Sequence, residues 1–592
     1  MKYPMLKEMA ASRQMIDSFR GYNHNLRIDD GEFFDMKNMT SDYYPVLSPR
    51  RKRGIYASPS MPNGLIAKDA LCYVDGSKFV INEYPVEMGL NDEPKQLISM
   101  GAYVIIMPDK KYINTLDYTD NGNIEATFTS TSDVTFTLCK VDGIDYAVGG
   151  AGWEEPDEPS NMTLWIDTST TPHALKQWSE SAGMWVTIPT TYVKIATPGI
   201  DASFEKYDGI TISGLKNVAL HDKQTGNIIE DTSDLAALEG AAVVWEKGEG
   251  YIVVVGILDI TRTITDTITI SRKMPIMDFV VESENRLWGC RYGEAANGEV
   301  VNEIYASKLG DFKNWNCYMS LSTDSYTASL GTDGQFTGAI THLGYPLFFK
   351  ENCVHKVYGN YPANFQIQTT ACRGVQKGSE KSLAIVNETL FYKARNAICA
   401  FDGSLPSEVS YAMGNEAYSE AVGGAHGNKY YISMKDAAGA HHLFIYDVSK
   451  GMWHKEDDLQ VNFFCSCRGE MYAIAKGQII TMLGSGTQDD EAVEWMVQTG
   501  EIGFYSPDMK YISMIAVRMA MDIGAEVRIY GQYDFSDEWE SLCYLRNTDN
   551  LRSFALPIRP KRCDHMKLRI EGEGMVKIYS ITKTIEQGSE LS

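Results

Sequence analysis

The sequence predicts an all-β protein: a β-propeller of six or seven blades, with an inserted β domain and a C-terminal β-sandwich. Three observations carry this. Short apolar-alternating runs are separated by Asp-Gly, Asn-Gly and Gly-Asn turns, and long helical patterns are few. A unit of strand, polar turn, aromatic or β-branched strand and further strand recurs along the chain. Outside one long gap its starts lie roughly 30–60 residues apart, the spacing of propeller blades.

The elements follow in order. Residues 1–60 are rich in turn formers and aromatics and lack sustained periodicity, which predicts an extended arm lying on a larger body. Residues 61–117 hold the first two units, starting at Gly64 and Lys95. Residues 118–272 are too long for a blade connection and read as an inserted β-rich domain. It carries the acidic stretch from Trp153 to Pro159, a small helical or loop piece around 231–240, and two well-alternating strands near its end. Residues 273–490 hold five more units, starting at Met277, Phe336, Lys381, Glu420 and Val461. The terminal units could merge to close the ring, so six and seven blades both fit. From 491 to 592, six strand-like runs predict a separate β-sandwich.

Composition narrows the function. The 592 residues carry 54 Lys+Arg and 78 Asp+Glu, a formal charge of −24. That balance argues against a surface that grips nucleic acid throughout. It permits a surface past which DNA slides. No apolar run is long enough for a secretory signal or a membrane span. Eleven irregularly spaced cysteines do not describe a disulfide framework. The close pair Cys465 and Cys467 would need two further ligands to hold zinc.

Signatures of known chemistry are sparse. There is no Gly-Lys dipeptide, hence no phosphate-binding loop of that type, and no nucleophile elbow or zinc-protease helix motif. Asp117 to Glu125 resembles a calcium loop faintly, but Asn121-Gly122 reads better as a hairpin turn. No carboxylate pair stands out among the acids. The sequence therefore predicts no cofactor, no metal site and no enzymatic activity. A propeller glycosidase, using two channel-facing carboxylates, is the least favoured alternative. The compact basic run Arg50, Arg51, Lys52 and Arg53 reads either as a solvated turn or as a docking strip for a neighbouring subunit, an adaptor or a phosphate backbone. Trp153, Trp178, Trp185 and Trp539 offer stacking faces for a ligand, or are partly buried sheet residues.

Two segments resemble a known family. The opening carries Gly21-Tyr-Asn23, Asp29-Asp-Gly-Glu32, Met36-Lys-Asn-Met39 and Leu47-Ser-Pro-Arg50. Asn285-Arg-Leu-Trp-Gly289 is followed by the stretch from Asn302 to Trp315, by Phe348-Phe-Lys-Glu351 and Val357-Tyr-Gly359, and by Gly374, Val375, Gly378 and Ser382. The first resembles the N-terminus of many tailed-phage structural proteins, and the second is similar to a blade of tail hub (nozzle) proteins of short-tailed bacteriophages; together they cover about residues 15–55 and 275–485. The resemblance implies a virion structural protein, assembled in the host cytoplasm. It would form a homo-oligomeric ring, typically a hexamer, below the portal and its adaptor. Such a ring extends the DNA channel, retains packaged DNA and mounts fibres or spikes. DNA would pass without sequence-specific binding, and an acidic lumen would repel it. The competing reading is a receptor- or glycan-binding tail protein, with its ligand on the insertion or the C-terminal sandwich.

Overall fold

A computed structural model describes residues 11–157, 159–160, 163–216, 220–221, 228–229, 233–484, 489–504, 509–547, 554–555 and 561–587. Among these residues strand is nearly the only regular secondary structure, and seven four-stranded units form propeller blades. The seven units read from the sequence each begin within a few residues of a blade's first strand.

Blade 1 comprises Pro62–Ala67, Leu71–Asp75, Lys78–Ile81 and Tyr84–Glu87, and blade 2 Gln96–Met100, Tyr103–Met107, Lys111–Asn114 and Asn121–Asn123. Blades 3, 4 and 5 begin at Phe279–Ser283, Gly338–His342 and Ala384–Val386. Blade 6 runs from Tyr418–His426 to Met452–Lys455. Blade 7 takes Val461–Cys467, Glu470–Ala475 and Gln478–Thr481 from late in the chain and Gly54–Ala57 from its beginning. The first strands touch in series around the axis, and the strand of blade 7 meets that of blade 1. Seven blades, not six, close the ring.

Local sequence explains the hairpins. Two-residue connections that follow strand twist need positive φ at both central positions, which Asn and Gly tolerate. Glu284–Asn285 and Asn387–Glu388 adopt that conformation. Asn121-Gly122, predicted as a hairpin turn, is instead part of blade 2's outer strand. Gly122 packs against the Tyr112 ring. The acids beside it serve the turn: Asp117 accepts from Thr119, and Asp120 accepts from Tyr103 and Asn114.

The insertion spans Ala126 to Arg272, slightly shorter than predicted. Two sheets pack face to face, one from Ala126–Thr129, Thr269–Arg272, Gly209–Ser213 and Gly240–Val243. The other is Glu246–Gly248, Tyr251–Val255, Tyr192–Ala196, Val134–Cys139 and Arg262–Ile264. Phe136, Ile195, Ile210, Ile252 and Ile270 fill the space between them. The expected helical piece is Ser233–Ala237. A polar knot ties the module to blade 3. Asn314 donates to Asp208 and accepts from the Gly209 N–H, while Arg272 pairs with the same Asp208. Gly209 allows the approach, since a Cβ there would lie 2.5 Å from the Asn316 carbonyl oxygen.

The first and last regions depart most from the sequence reading. The arm is not a free extension. Ala11–Ile16 is an edge strand of one sandwich sheet, beside Val576–Gln587 and Lys510–Met521. Glu32–Lys37 joins the other sheet beside Glu494–Thr499, followed by Met566–Glu573, Glu526–Tyr533 and Glu540–Arg546. Gly21–Tyr22 then links that sheet to the outer strand of blade 6, making one continuous sheet of ten strands. The C-terminal sandwich is therefore neither separate nor confined to 491–592. Its core, with Trp495, Ile515, Ile529 and Ile570, continues into Phe33, Trp453 and Tyr430. No described helix is long and apolar enough to cross a membrane.

Candidate functional sites

The basic run does not form one strip. Arg50 and Arg53 are buried, while Arg51 is exposed and Lys52 half-buried. Arg53 reaches Glu456 at 2.5 Å and Asp457 at 2.7 Å. Arg50 reaches Asp490 at 2.9 Å and donates to Asn38 at 2.8 Å. Asn38 in turn donates to the Glu494 carbonyl. Burial alone would raise the Asp457 carboxyl, but Arg53 and Arg50 hold it below the ordinary aspartate value. Two of the four predicted docking residues are thus spent latching the arm to blades 6 and 7. They are corrected from partner contacts to internal ones.

The tryptophans divide as well. On the insertion, a small sheet of Ala151–Gly152, Leu164–Asp167, Ala174–Ser179 and Met184–Thr187 packs Ile166 and Leu175 onto Leu138. Strand alternation sends the intervening residues to the other face. Register puts Trp165 opposite Lys176, and Trp178 opposite Trp185. The Trp185 ring lies 5.4 Å from that of Trp165 and 5.6 Å from that of Trp178. Lys176 sits over Trp165 and pairs with Asp167 at 2.8 Å. That lysine, with Ser169, pushes the Asp167 carboxyl down to about 2. Trp165 and Trp185 are buried, Trp178 is half-buried, and Trp153, directly after the edge strand, is 75% exposed. Trp539 is remote in sequence and structure, under Arg569 on the C-terminal sandwich. Trp165, Lys176 and Asp167 are added to the expected set; period-two alternation within Leu164–Asp167 and Ala174–Ser179 was the available signal.

The second candidate is the propeller axis. The first strands enclose a cavity of about 500 Å³ to which all seven blades contribute. Its wall is mixed, with Leu97, Phe279, Leu383, Phe463 and Phe464 forming the apolar part. A register shift between Val461 and Phe463 re-aims that strand, so the adjacent Phe463 and Phe464 both reach the cavity. Against this wall stand Asp278, Glu380 and Lys381. Asp278 accepts from the Tyr292 N–H at 2.8 Å, and burial raises its carboxyl above the usual value. The Lys381 ammonium lies 3.7 Å from the centre of the Phe463 ring, and burial lowers it below an ordinary lysine. Glu380 and Lys381 ride on a tight turn, Glu380–Ser382, pressed onto Gly423. A Cβ at Gly423 would sit 2.5 Å from the Ser382 carbonyl oxygen. Tyr430 donates to that same oxygen and fixes the turn. Sequence reading missed these residues, because lone charges without a motif do not announce a shared axis.

Among the described residues no group of three or more His, Cys, Asp or Glu side chains gathers at the Cys465–Cys467 pair. Burial pushes the Cys465 thiol up to about 12, and Cys467 rises as well, the opposite of thiolate activation.

No family model and no curated protein matches this chain. Solved structures do. An exo-β-1,3-galactanase from Phanerochaete chrysosporium, bound to galactose, is 9% identical. It covers 51% of this chain and 94% of its own, with a TM-score of 0.23. A GH43 glycoside hydrolase with an engineered active site, showing endo-xylanase and exo-arabinofuranosidase activity, is 9% identical over 52% of this chain and 96% of its own, at 0.19. Trypanosoma rangeli sialidase is 8% identical over 90% and 96%, also at 0.19. These neighbours are enzymes, so the expectation that this chain is not an enzyme is withdrawn. At such scores the likeness assigns no activity to it.

Proposed function

We propose that this chain is a glycan- or receptor-binding tail protein of a tailed bacteriophage, with the propeller as scaffold and the tryptophan face of the insertion as the binding surface. One observation carries the reading: on the insertion Trp153 is exposed and Trp178 half-buried, with the half-buried Lys176 on the same strand as Trp178, while the buried Trp165 and Trp185 continue the same row of rings. Indole rings offer flat apolar area to the C–H face of a sugar ring. A charged pair beside them offers a donor and an acceptor to hydroxyls. Retention of the purified protein on bacterial cell-wall glycans tests it. Trp178→Ala and Trp153→Ala are each expected to weaken retention about tenfold or more, the cost of roughly 1.4 kcal/mol. A double variant that is retained like the unchanged protein rejects the reading.

A second reading, the ring-forming nozzle subunit, is favoured by the opening segment. Its motif residues do joint work: Gly21 lies against Trp453, Asn23 donates to Glu32, and Asn38 and Arg50 tie blade 6 to the sandwich. They weld the propeller and the sandwich into one body, which suits a load-bearing ring. Since the strands of residues 11–57 pair internally, the arm would not lace neighbouring subunits together as a free extension. Native mass and negative-stain images test it. Hexameric rings with a hole wide enough for duplex DNA support the nozzle; a trimer favours the receptor-binding protein.

A further inference from the structure

Six large apolar side chains are at least 75% exposed among the described residues, and three of them belong to one linked surface. Leu26 stands on the arm, Tyr411 on the link between blades 5 and 6, and Phe535 on the C-terminal sandwich. Short contacts join them. Asn25 donates to the Tyr411 carbonyl at 2.9 Å, and the Arg27 guanidinium lies 5.5 Å from the centre of the Phe504 ring. The buried His565 ring lies 5.1 Å from that of Phe504 and 4.7 Å from that of Phe535. The arm is held in place here, since Asn25 also donates to Asn23 and the His24 N–H donates to the Ala412 carbonyl. Singly exposed apolar residues are ordinary. A preorganised group drawn from three parts of the chain is the anatomy of a docking surface.

We infer that this surface docks a second copy of the chain, through the loop from Trp153 to Asp157 on that copy's insertion. Charge complementarity names the occupant. Arg27 is exposed and, among the described residues, lies within ion-pair distance of no carboxylate. Glu154, Glu155 and Asp157 are exposed and likewise unpaired, directly after the exposed Trp153. The docking surface thus sets three apolar side chains beside a cation, and the loop sets an indole beside three anions. Tyr, Trp and Arg are the side chains that anchor protein interfaces, and opposite charge fixes their register. Two different surfaces of one chain meet in a heterologous contact, which closes into a ring or runs on as a filament. The inference rests on the ring-forming reading, and in an assembled ring it gives Trp153 to the neighbouring copy instead of to a glycan.

Sedimentation velocity of the full chain over a concentration series tests the contact. The unchanged protein should associate. Leu26→Ser, Arg27→Glu, and Glu154→Lys combined with Glu155→Lys should each weaken association about tenfold or more. All four positions are exposed, so the melting temperature should stay where it is, which separates lost docking from lost folding. Arg27→Glu placed in the same chain as Glu154→Lys and Glu155→Lys restores opposite charge across the contact and should recover association. A monomer at every concentration overturns the contact together with the ring. An oligomer that Arg27→Glu leaves intact, or a charge-swapped chain that stays dissociated, overturns the contact alone and leaves the ring-forming reading in place.

Discussion

The arm latch and the axial cavity hold charge in opposite ways. At the latch, two arginines meet three carboxylates in contacts as short as 2.5 Å, and the arm runs on into the closing strand of blade 7. At the axis, Lys381, Asp278 and Glu380 share one chamber without pairing. Matched buried charge fixes a fold, because removing one partner strands the other. Unpaired charge at an open cavity keeps its water and adds little to folding. The contrast also reverses the sequence-level impression, in which Arg50 to Arg53 stood out and Lys381 did not.

The largest expected effect breaks the latch. Arg53→Met leaves Glu456 and Asp457 only the longer contacts to Arg50, at 3.9 and 3.6 Å, and should cost about 3 kcal/mol. Denaturant unfolding measures it, and protease cleavage near residue 55 should appear in the same variant. A cost below about 1 kcal/mol would show that the latch is dispensable.

Next comes acid. Burial raises the Asp447 carboxyl, but Lys450, Ser41 and Ser449 push it down to about 2. A depressed carboxylate stabilises the fold fully above its unfolded value near 4 and loses that contribution as pH falls towards 2. About 2 kcal/mol should disappear across that window. Asp447→Asn should flatten the pH dependence of melting there; an unaltered profile contradicts the assignment.

A smaller effect sharpens the other half of the comparison. Gly423→Ala should push back the Glu380–Ser382 turn and displace Lys381, at a stability cost of about 1–3 kcal/mol. Conversely, Lys381→Gln should barely alter stability. The smallest effects belong to Arg51→Ala and Lys52→Ala, each within about 0.5 kcal/mol. A large loss at either would revive the basic run as a unit.

The blades were legible because each is a local object. Strand alternation and turn residues lie within a few dozen residues, and the seven starts from Gly64 to Val461 fall within a few residues of the beginnings of the seven first strands. The insertion announced itself as a break in that rhythm. The arm was misread because its pairing is distant: Ala11–Ile16 finds its partner in Val576–Gln587, and no periodicity in six residues encodes that. The burial of Arg50 and Arg53 follows from the same distant pairing, since Glu456, Asp457 and Asp490 lie over 400 residues away. Of the tryptophan face, Trp178 and Trp185 were visible as stacking candidates. Their alignment with Trp165 depends on register, which turn geometry sets and composition does not. The axial site was illegible, because its polar members come from separate blades.

Both ends of the chain are needed to finish the same two structures. Gly54–Ala57 supplies the last strand of a blade whose other strands end at Thr481, and residues 11–37 supply strands to a sandwich completed only by Val576–Gln587. On a ribosome, residues 11–57 must therefore wait for partners made more than 400 residues later. A chain that stops short has an open ring and an uncovered apolar sheet, which exposes it to proteolysis and aggregation. The topology makes synthesis through Thr481 a condition of ring closure and synthesis through Gln587 a condition of completing the sandwich sheet.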